Sequence, residues 1–245
     1  MLTVCLTSWR RHNQVHEIIE QLTRQSCEPR IFVWNNDKTY LFKDDRAHVV
    51  INSSENFGGR HIVASMQMAG TPYVAKMDDD LHLADDDVLA DALKILATCS
   101  HSTTMIGPYG VKIHEGGTYA TGNHVAIPKG HGQYSNGVPE PHNVRVDVLK
   151  GRLIIANLEA ALLGSCAYTE RHEDLPLCFA ASGTTRKHHL AASCFFDHVK
   201  ECSRVPDFPA DTHGMCFEEG HLDSRNEACA KWIATCVAAE KVKER

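Results

Sequence analysis

Three consecutive carboxylates, Asp78, Asp79 and Asp80, follow the apolar run Tyr73 to Met77 and form the part of this chain best suited to chemistry. In an open α/β sheet the ligand crevice lies outside the carboxyl ends of the strands, so acids delivered there meet a ligand. Alternate residues of an extended strand point to one side, which lets Asp78 and Asp80 address a single hard cation together. Aspartate oxygens suit Mg²⁺ or Mn²⁺. These ions keep water and substrate oxygens in their remaining positions, so one or two protein carboxylates suffice. The trio predicts a metal and diphosphate site, and the alternative is an acidic loop tip that only aids solubility.

A sugar nucleotide reacts by breaking the bond between its anomeric carbon and its β-phosphate, and a divalent cation bridging the phosphates relieves the charge that builds on the leaving group. Arg60, at the start of the helix after the third strand, offers a planar fork of donors to a phosphate, or is a plain surface arginine. An acceptor hydroxyl needs a general base, because a neutral alcohol is a weak nucleophile. Glu173 and Asp174 are the leading candidates, placed where the apolar segment Leu175 to Phe179 opens a helix toward the cleft. A helix start also favours acids for structural reasons alone.

The elements that must position these groups are legible as alternating apolar runs and helical stripes, the pattern of βαβ units around a mainly parallel sheet. Leu2 to Thr7 is the first strand. Val15, Ile18, Ile19 and Leu22 then recur at helical spacing, predicting a helix from about His12 to Gln25. Ile31 to Trp34 is a second strand ending in Asn35, Asn36 and Asp37, and Val49 to Ile51 a third. A helix from about Gly59 to Ala69 and the strand Tyr73 to Met77 complete the set. Three strands thus end in polar clusters, at Ser8 to Arg11, at Asn35 to Asp37 and at Asp78 to Asp80, as a site built across strand tips requires.

Asp85, Asp86 and Asp87 precede the stripe Val88, Leu89, Ala92, Leu93 and Leu96. They are expected in a first helical turn, where the dipole favours negative charge. From Glu115 to Asn143 the chain is rich in Gly, His, Asn and Pro without periodicity, and a loop of that length suits a substrate lid. Val144 to Leu149 and Leu153 to Ile155 return to strand character, and Cys229, Trp232, Ile233, Cys236 and Val237 mark a final helix. No repeat or linker divides the chain, so residues 1–245 are expected to form a single domain with a nucleotide-binding half, 1–100, and an acceptor-binding half, 101–245.

A formal charge of −6 over 245 residues argues against sequence-independent binding to nucleic acid, which needs a basic face. Leu2 to Thr7 is too short for a signal-peptide core and Arg10 and Arg11 lie on its wrong side, and nothing approaches a membrane span. The ten cysteines lack a CxxC pair or a regular framework, so reduced thiols and a cytoplasmic location are expected, and a structural zinc site lacks paired ligand spacings.

Taken in order, the Thr-Ser-Trp-Arg-Arg end of the first strand, Ile-Phe-Val-Trp-Asn-Asn at 31–36, the DxD motif at 78–80 and Glu173-Asp174 about a hundred residues later resemble the GT-A glycosyltransferases. The Trp-Asn-Asn and Asp-Asp-Asp stretches are similar to the exostosin-like branch, and His172 to Leu175 to the ED motif of the family 2 enzymes. The resemblance covers most of the chain. It implies an α/β nucleotide-sugar-binding sheet with a smaller acceptor-binding lobe. Thr7, Ser8 and Arg10, together with Asn35 and Asp37, would contact the nucleotide; Asp78, Asp79 and Asp80 would hold ribose, diphosphate and metal; Asp174, aided by Glu173, would face the acceptor.

The resemblance also implies a carboxy-terminal histidine at the metal, for which His213 and His221 are candidates ahead of His188 and His189; imidazole would favour Mn²⁺ over Mg²⁺. Arg225 is a weaker phosphate candidate. The donor would be a nucleotide-diphosphate sugar and the acceptor a glycan, a glycoprotein or a small molecule. Glu173-Asp174 resembles the base of the inverting group, although the two branches differ in stereochemical outcome. Two rival readings are a nucleotidyltransferase, for which Ser8 to Arg11 lacks the glycines of a triphosphate loop, and a non-catalytic carbohydrate-binding protein on the same fold.

Overall fold

In the computed structural model, residues 1–58, 60–120, 122–127, 142–166, 174–201 and 221–243 are described. Alternating strand and helix over the first part of the chain gives β1 (Leu2–Ser8), α1 (His12–Arg24), β2 (Arg30–Asn35), β3 (Val49–Asn52), α2 (Arg60–Met68) and β4 (Tyr73–Met77). The chain continues through β5 (Leu81–Leu83), α3 (Val88–Ala97), β6 (Ile106–Gly107), β7 (Tyr109–Lys112), β8 (Asn123–Ala126), β9 (Val144–Val146), β10 (Val148–Leu149) and β11 (Leu153–Asn157). It closes with α4 (Leu158–Cys166), α5 (Asp174–Ser182), β12 (His189–Ala191), β13 (Val199–Glu201) and α6 (His221–Lys243).

Eight strands form the central sheet in the order β3-β2-β1-β4-β11-β6-β12-β9. The first four run parallel, and β11 enters antiparallel between β4 and β6. Progress along the sheet reverses between β1-α1-β2 and β3-α2-β4, so right-handed crossovers place α1 and α2 on opposite faces. This reversal opens the crevice at the ends of β1 and β4. A three-stranded sheet, β10-β7-β8, and the ribbon β13-β5 flank the main sheet.

Burial explains why these segments fold as they do. Leu2, Val4, Leu6, Val74, Ala75 and Met77 are fully buried, as near-continuous apolar runs of a sheet covered on both faces should be. The α1 stripe of Val15, Ile18, Ile19 and Leu22 turns inward as its spacing predicts. Two buried glutamines, Gln21 on α1 and Gln25 at its carboxyl end, fix the segment after the acids. Gln21 accepts the Leu83 N–H at 2.7 Å, and Gln25 accepts the Leu89 N–H at 3.1 Å while donating to the Asp85 carbonyl at 2.7 Å.

Some expectations change on contact with the structure. Asp85 to Asp87 lie just before α3, not within its first turn, and Asp85 accepts the Asp87 N–H at 2.7 Å. The stretch from 115 to 143 contains β8, paired with β7, while its residues 128–141, and with them the expected lid, lie outside the described residues. Val144 to Leu149 divides at Asp147 into two strands of different sheets. Asp147 is fully buried and accepts from the Ile113 and Lys187 amides and from Arg186, which turns the chain there. Among the described residues no helix is long and apolar enough to cross a membrane.

Candidate active site

The three acids at the end of β4 point different ways. The Asp78 N–H donates to the Arg152 carbonyl at 2.9 Å, extending the β4–β11 ladder by one residue. Its carboxylate pairs with the buried ammonium of Lys76 at 2.8 Å, and Lys76 also donates to the Gly151 carbonyl. Asp79 turns inward. It accepts the Trp9 N–H at 2.9 Å and Arg11 Nη1 at 2.7 Å, so it fastens the end of β1 to the end of β4. Burial pushes the Asp79 carboxyl up to about 6, against the opposing pull of Arg11. Asp80 takes Arg152 Nη1 on Oδ2 at 3.2 Å, with Arg11 3.9 Å away, while its Oδ1 is buried and has no hydrogen-bond partner.

The tip of β2 joins this corner through a side-chain relay. Ser8 Oγ lies 3.2 Å from His12 Nδ1, and His12 Nε2 lies 3.2 Å from Asp37 Oδ2. Hydrogen bonds from the Thr39 hydroxyl, and beyond them Thr39 N–H and His12, hold the Asp37 carboxyl below the usual carboxylate range. His12 also stacks on the half-exposed Tyr40 with ring centroids 3.8 Å apart, leaving an aromatic surface beside Asp37. Asn35 is buried and donates to the Tyr40 carbonyl at 2.6 Å and to Asn52 at 2.9 Å, so it shapes the loop from within. Thr7 likewise bonds His61 at 2.8 Å. Arg10 adopts a left-handed φ of 65° with its guanidinium over Trp9, and Arg60 opens α2 as an exposed residue.

A second polar cluster lies in the other half. Asp174, the first residue of α5, is buried and takes Arg225 on both oxygens, at 2.9 and 2.7 Å. Arg225 lies over the Tyr119 ring, 4.1 Å from its centroid, and Tyr119 meets His124 edge to face. Burial, with Lys150 and Arg225 nearby, pushes His124 down to about 4. The turn Lys150-Gly151-Arg152 lies against the first cluster, its middle carbonyl holding Lys76 and its last side chain Asp80, while the charge of Lys150 acts on His124 of the second.

Of the residues expected at a site, Ser8, Asp37 and Asp78 to Asp80 come together, whereas Asp174 and Arg225 form the separate buried pair. Glu173 and His213 lie outside the described residues, as does the side chain of His221, which opens α6. His189 bonds the Cys178 carbonyl and the Met105 N–H, and His188 bonds Thr103, so both serve the interior near β6 and β12. Sequence reasoning missed Lys76 and Arg152. A lysine inside the apolar run Tyr-Val-Ala-Lys-Met is a visible signal, but the partner of Arg152 emerges only from the antiparallel register of β4 and β11.

Among the described residues no three His, Cys, Asp or Glu side chains converge as a metal cage. The residues present nevertheless suit a hard cation in kind: Oδ1 of Asp80 is a buried carboxylate oxygen with no hydrogen-bond partner, and Asp78 keeps a third of its side chain open to solvent.

No family model matches the chain, and no curated protein is significantly similar to it. Solved structures do match it. TarS of S. aureus superposes with a TM-score of 0.50 at 14% identity over 77% of this chain, and the mannosyltransferase PcManGT of Pyrobaculum calidifontis, in complex with GDP-Man and Mn²⁺, with 0.50 at 13% over 98%. This chain spans 34% of the TarS chain and 75% of the mannosyltransferase chain. Together with the mainly parallel sheet, these likenesses define a GT-A-like glycosyltransferase fold.

Proposed function

We propose that this chain is a metal-dependent glycosyltransferase that moves a sugar from a nucleotide-diphosphate sugar to an acceptor hydroxyl. The observation that carries this reading is the buried, unpartnered Oδ1 of Asp80 at the corner where the ends of β1, β2 and β4 meet. Asp80 and Asp78 would hold Mn²⁺ or Mg²⁺, and the neighbour bound to GDP-Man and Mn²⁺ supports that pairing of donor and ion. A cation bound there would draw charge from the departing diphosphate.

The chain's own residues do the rest. Asp37 and the His12–Tyr40 stack line the nucleotide side, with Thr7, Ser8, Arg10 and Asn35 shaping it, and Arg60 is the candidate phosphate fork. Asp79 keeps the strand ends together. On the acceptor side we assign the base to Asp174, with Glu173 beside it, and an inverting displacement follows from a base opposite the leaving group. In this structure Arg225 holds both Asp174 oxygens, so the acceptor proton would be taken by a carboxylate lone pair that the guanidinium leaves open. His213 and His221 remain the candidate imidazole ligands.

A non-catalytic carbohydrate-binding reading draws on one observation, that Asp174 is already engaged by a cation. A screen of UDP-, GDP- and dTDP-sugars with and without Mn²⁺ separates the two, because a ligand of the folded state raises the melting temperature. Metal-dependent stabilisation accompanied by slow release of nucleoside diphosphate supports the transferase. Stabilisation without release supports the binding protein, and no response to any sugar nucleotide removes both.

A further inference from the structure

Each acid at the end of β4 has its own cation: Lys76 lies 2.8 Å from Asp78, Arg11 lies 2.7 Å from Asp79, and Arg152 lies 3.2 Å from Asp80. Three positive groups thus balance three negative ones. A divalent ion arriving alone gains less from such a neutral cluster than it would from bare carboxylates, because the guanidinium beside Asp80 repels it.

The three pairs are not held alike. Lys76 is buried and also holds the Gly151 carbonyl, and Arg11 grips a carboxylate that is itself buried and bonded to the Trp9 amide. Arg152 stands in a turn and is as exposed as Arg11, but its 3.2 Å pair is the longest of the three, and the acid it touches has its second oxygen unsatisfied. A guanidinium binds phosphate with the same fork it offers a carboxylate. A diphosphate entering this corner brings the charge that Arg152 needs if it is to leave Asp80.

Resting on the glycosyltransferase reading above, we propose that Arg152 is a diphosphate-binding residue that trades Asp80 for the phosphates when a nucleotide arrives. The exchange frees Oδ2 of Asp80 beside the already open Oδ1, so the cation and the nucleotide bind as a unit. Lys76 and Arg11 keep Asp78 and Asp79 in place throughout. By linkage, the factor by which nucleotide tightens the cation equals the factor by which the cation tightens nucleotide.

The test is a Mn²⁺ titration followed by electron paramagnetic resonance, on the chain alone and with UDP or GDP, for the wild type, Arg152→Gln and Arg152→Lys. In the wild type one of the nucleotides should tighten Mn²⁺ by about tenfold or more. Arg152→Gln should bind Mn²⁺ alone more tightly than the wild type and lose most of the nucleotide-induced gain. Arg152→Lys, which keeps the charge without the fork, should fall between them, and it carries the comparison if the glutamine variant does not fold. A merely structural role would weaken both affinities and lower the melting temperature, and would not raise one affinity. Unchanged Mn²⁺ affinity with an undiminished gain in Arg152→Gln overturns the role of Arg152 and leaves the metal site standing. A wild type that binds no Mn²⁺ under any of these conditions overturns the metal site and the exchange together.

Discussion

Arg225 closes on Asp174 with both ends of its guanidinium, Nη1 to Oδ1 at 2.9 Å and Nη2 to Oδ2 at 2.7 Å, and so ties the start of α5 to α6 through the interior. Both groups are buried, and the two-pronged pair gives each a close opposite charge. Arg225→Leu takes this opposite charge from a buried carboxylate and should cost about 3–5 kcal/mol. Urea denaturation would read this directly. The double variant Asp174→Leu/Arg225→Leu should recover most of the loss, and a double variant as weak as the single one would show that the helices are held by something else.

The acids of the trio should separate by phenotype. Asp80→Asn and Asp78→Asn should abolish the Mn²⁺-dependent rise in melting temperature with UDP or GDP; Asp80→Asn should leave the ligand-free melting point close to that of the wild type, whereas Asp78→Asn should lower it, because the buried Lys76 ammonium loses the carboxylate 2.8 Å away. Asp79→Asn should instead weaken the fold by about 1–3 kcal/mol, because the Trp9 amide and Arg11 lose a charged acceptor in a buried place. Metal response lost in Asp79→Asn and kept in Asp80→Asn would reverse these roles.

His189 makes stability sensitive to acid. It is fully buried, and desolvation pushes its imidazole down from 6.5 to about 3. The unfolded chain takes up a proton as pH falls through 6.5, whereas the folded chain resists until about 3, so folding loses stability on acidification across that window. The slope should be about 1.4 kcal/mol per pH unit for this group, and His189→Gln should remove it. Denaturation curves at several pH values between 4 and 7 would measure the difference; parallel slopes in the two proteins would rule the group out.

Gly164 allows α4 to lie against α5. A Cβ at this position would come within 2.8 Å of the Leu177 Cα, a backbone atom that cannot swing aside. Gly164→Ala should destabilise the fold by about 1–3 kcal/mol through overpacking. It should also weaken acceptor turnover more than donor binding, because α5 begins at Asp174. An alanine variant with wild-type stability would mean that the helices separate without cost.

The parallel half of the fold was legible because period and burial agree there. Leu2 to Thr7, the α1 stripe and Tyr73 to Met77 each bury the face that their spacing predicts. Short strands in the second half were not legible. β6 and β10 have two residues each, and His189–Ala191 has three, so partners from distant parts of the chain decide their state. For the site, residue types alone pointed to the corner where Ser8, Asp37 and the trio meet. They did not reveal that Asp79 faces inward, or that Asp174 is gripped by Arg225, since neither strand alternation nor a helix start says what a distant part of the chain brings against it.

In the antiparallel ladder of β4 and β11, Met77 stands opposite Leu153 and Lys76 opposite Ile154, so the turn at 150–152 sits directly against the acidic tip. Removing or adding one residue in that turn would pull the Gly151 carbonyl from Lys76 or the Arg152 side chain from Asp80. Length variation between Leu149 and Leu153 therefore disturbs the acidic tip itself, and loop grafting aimed at a new acceptor belongs elsewhere.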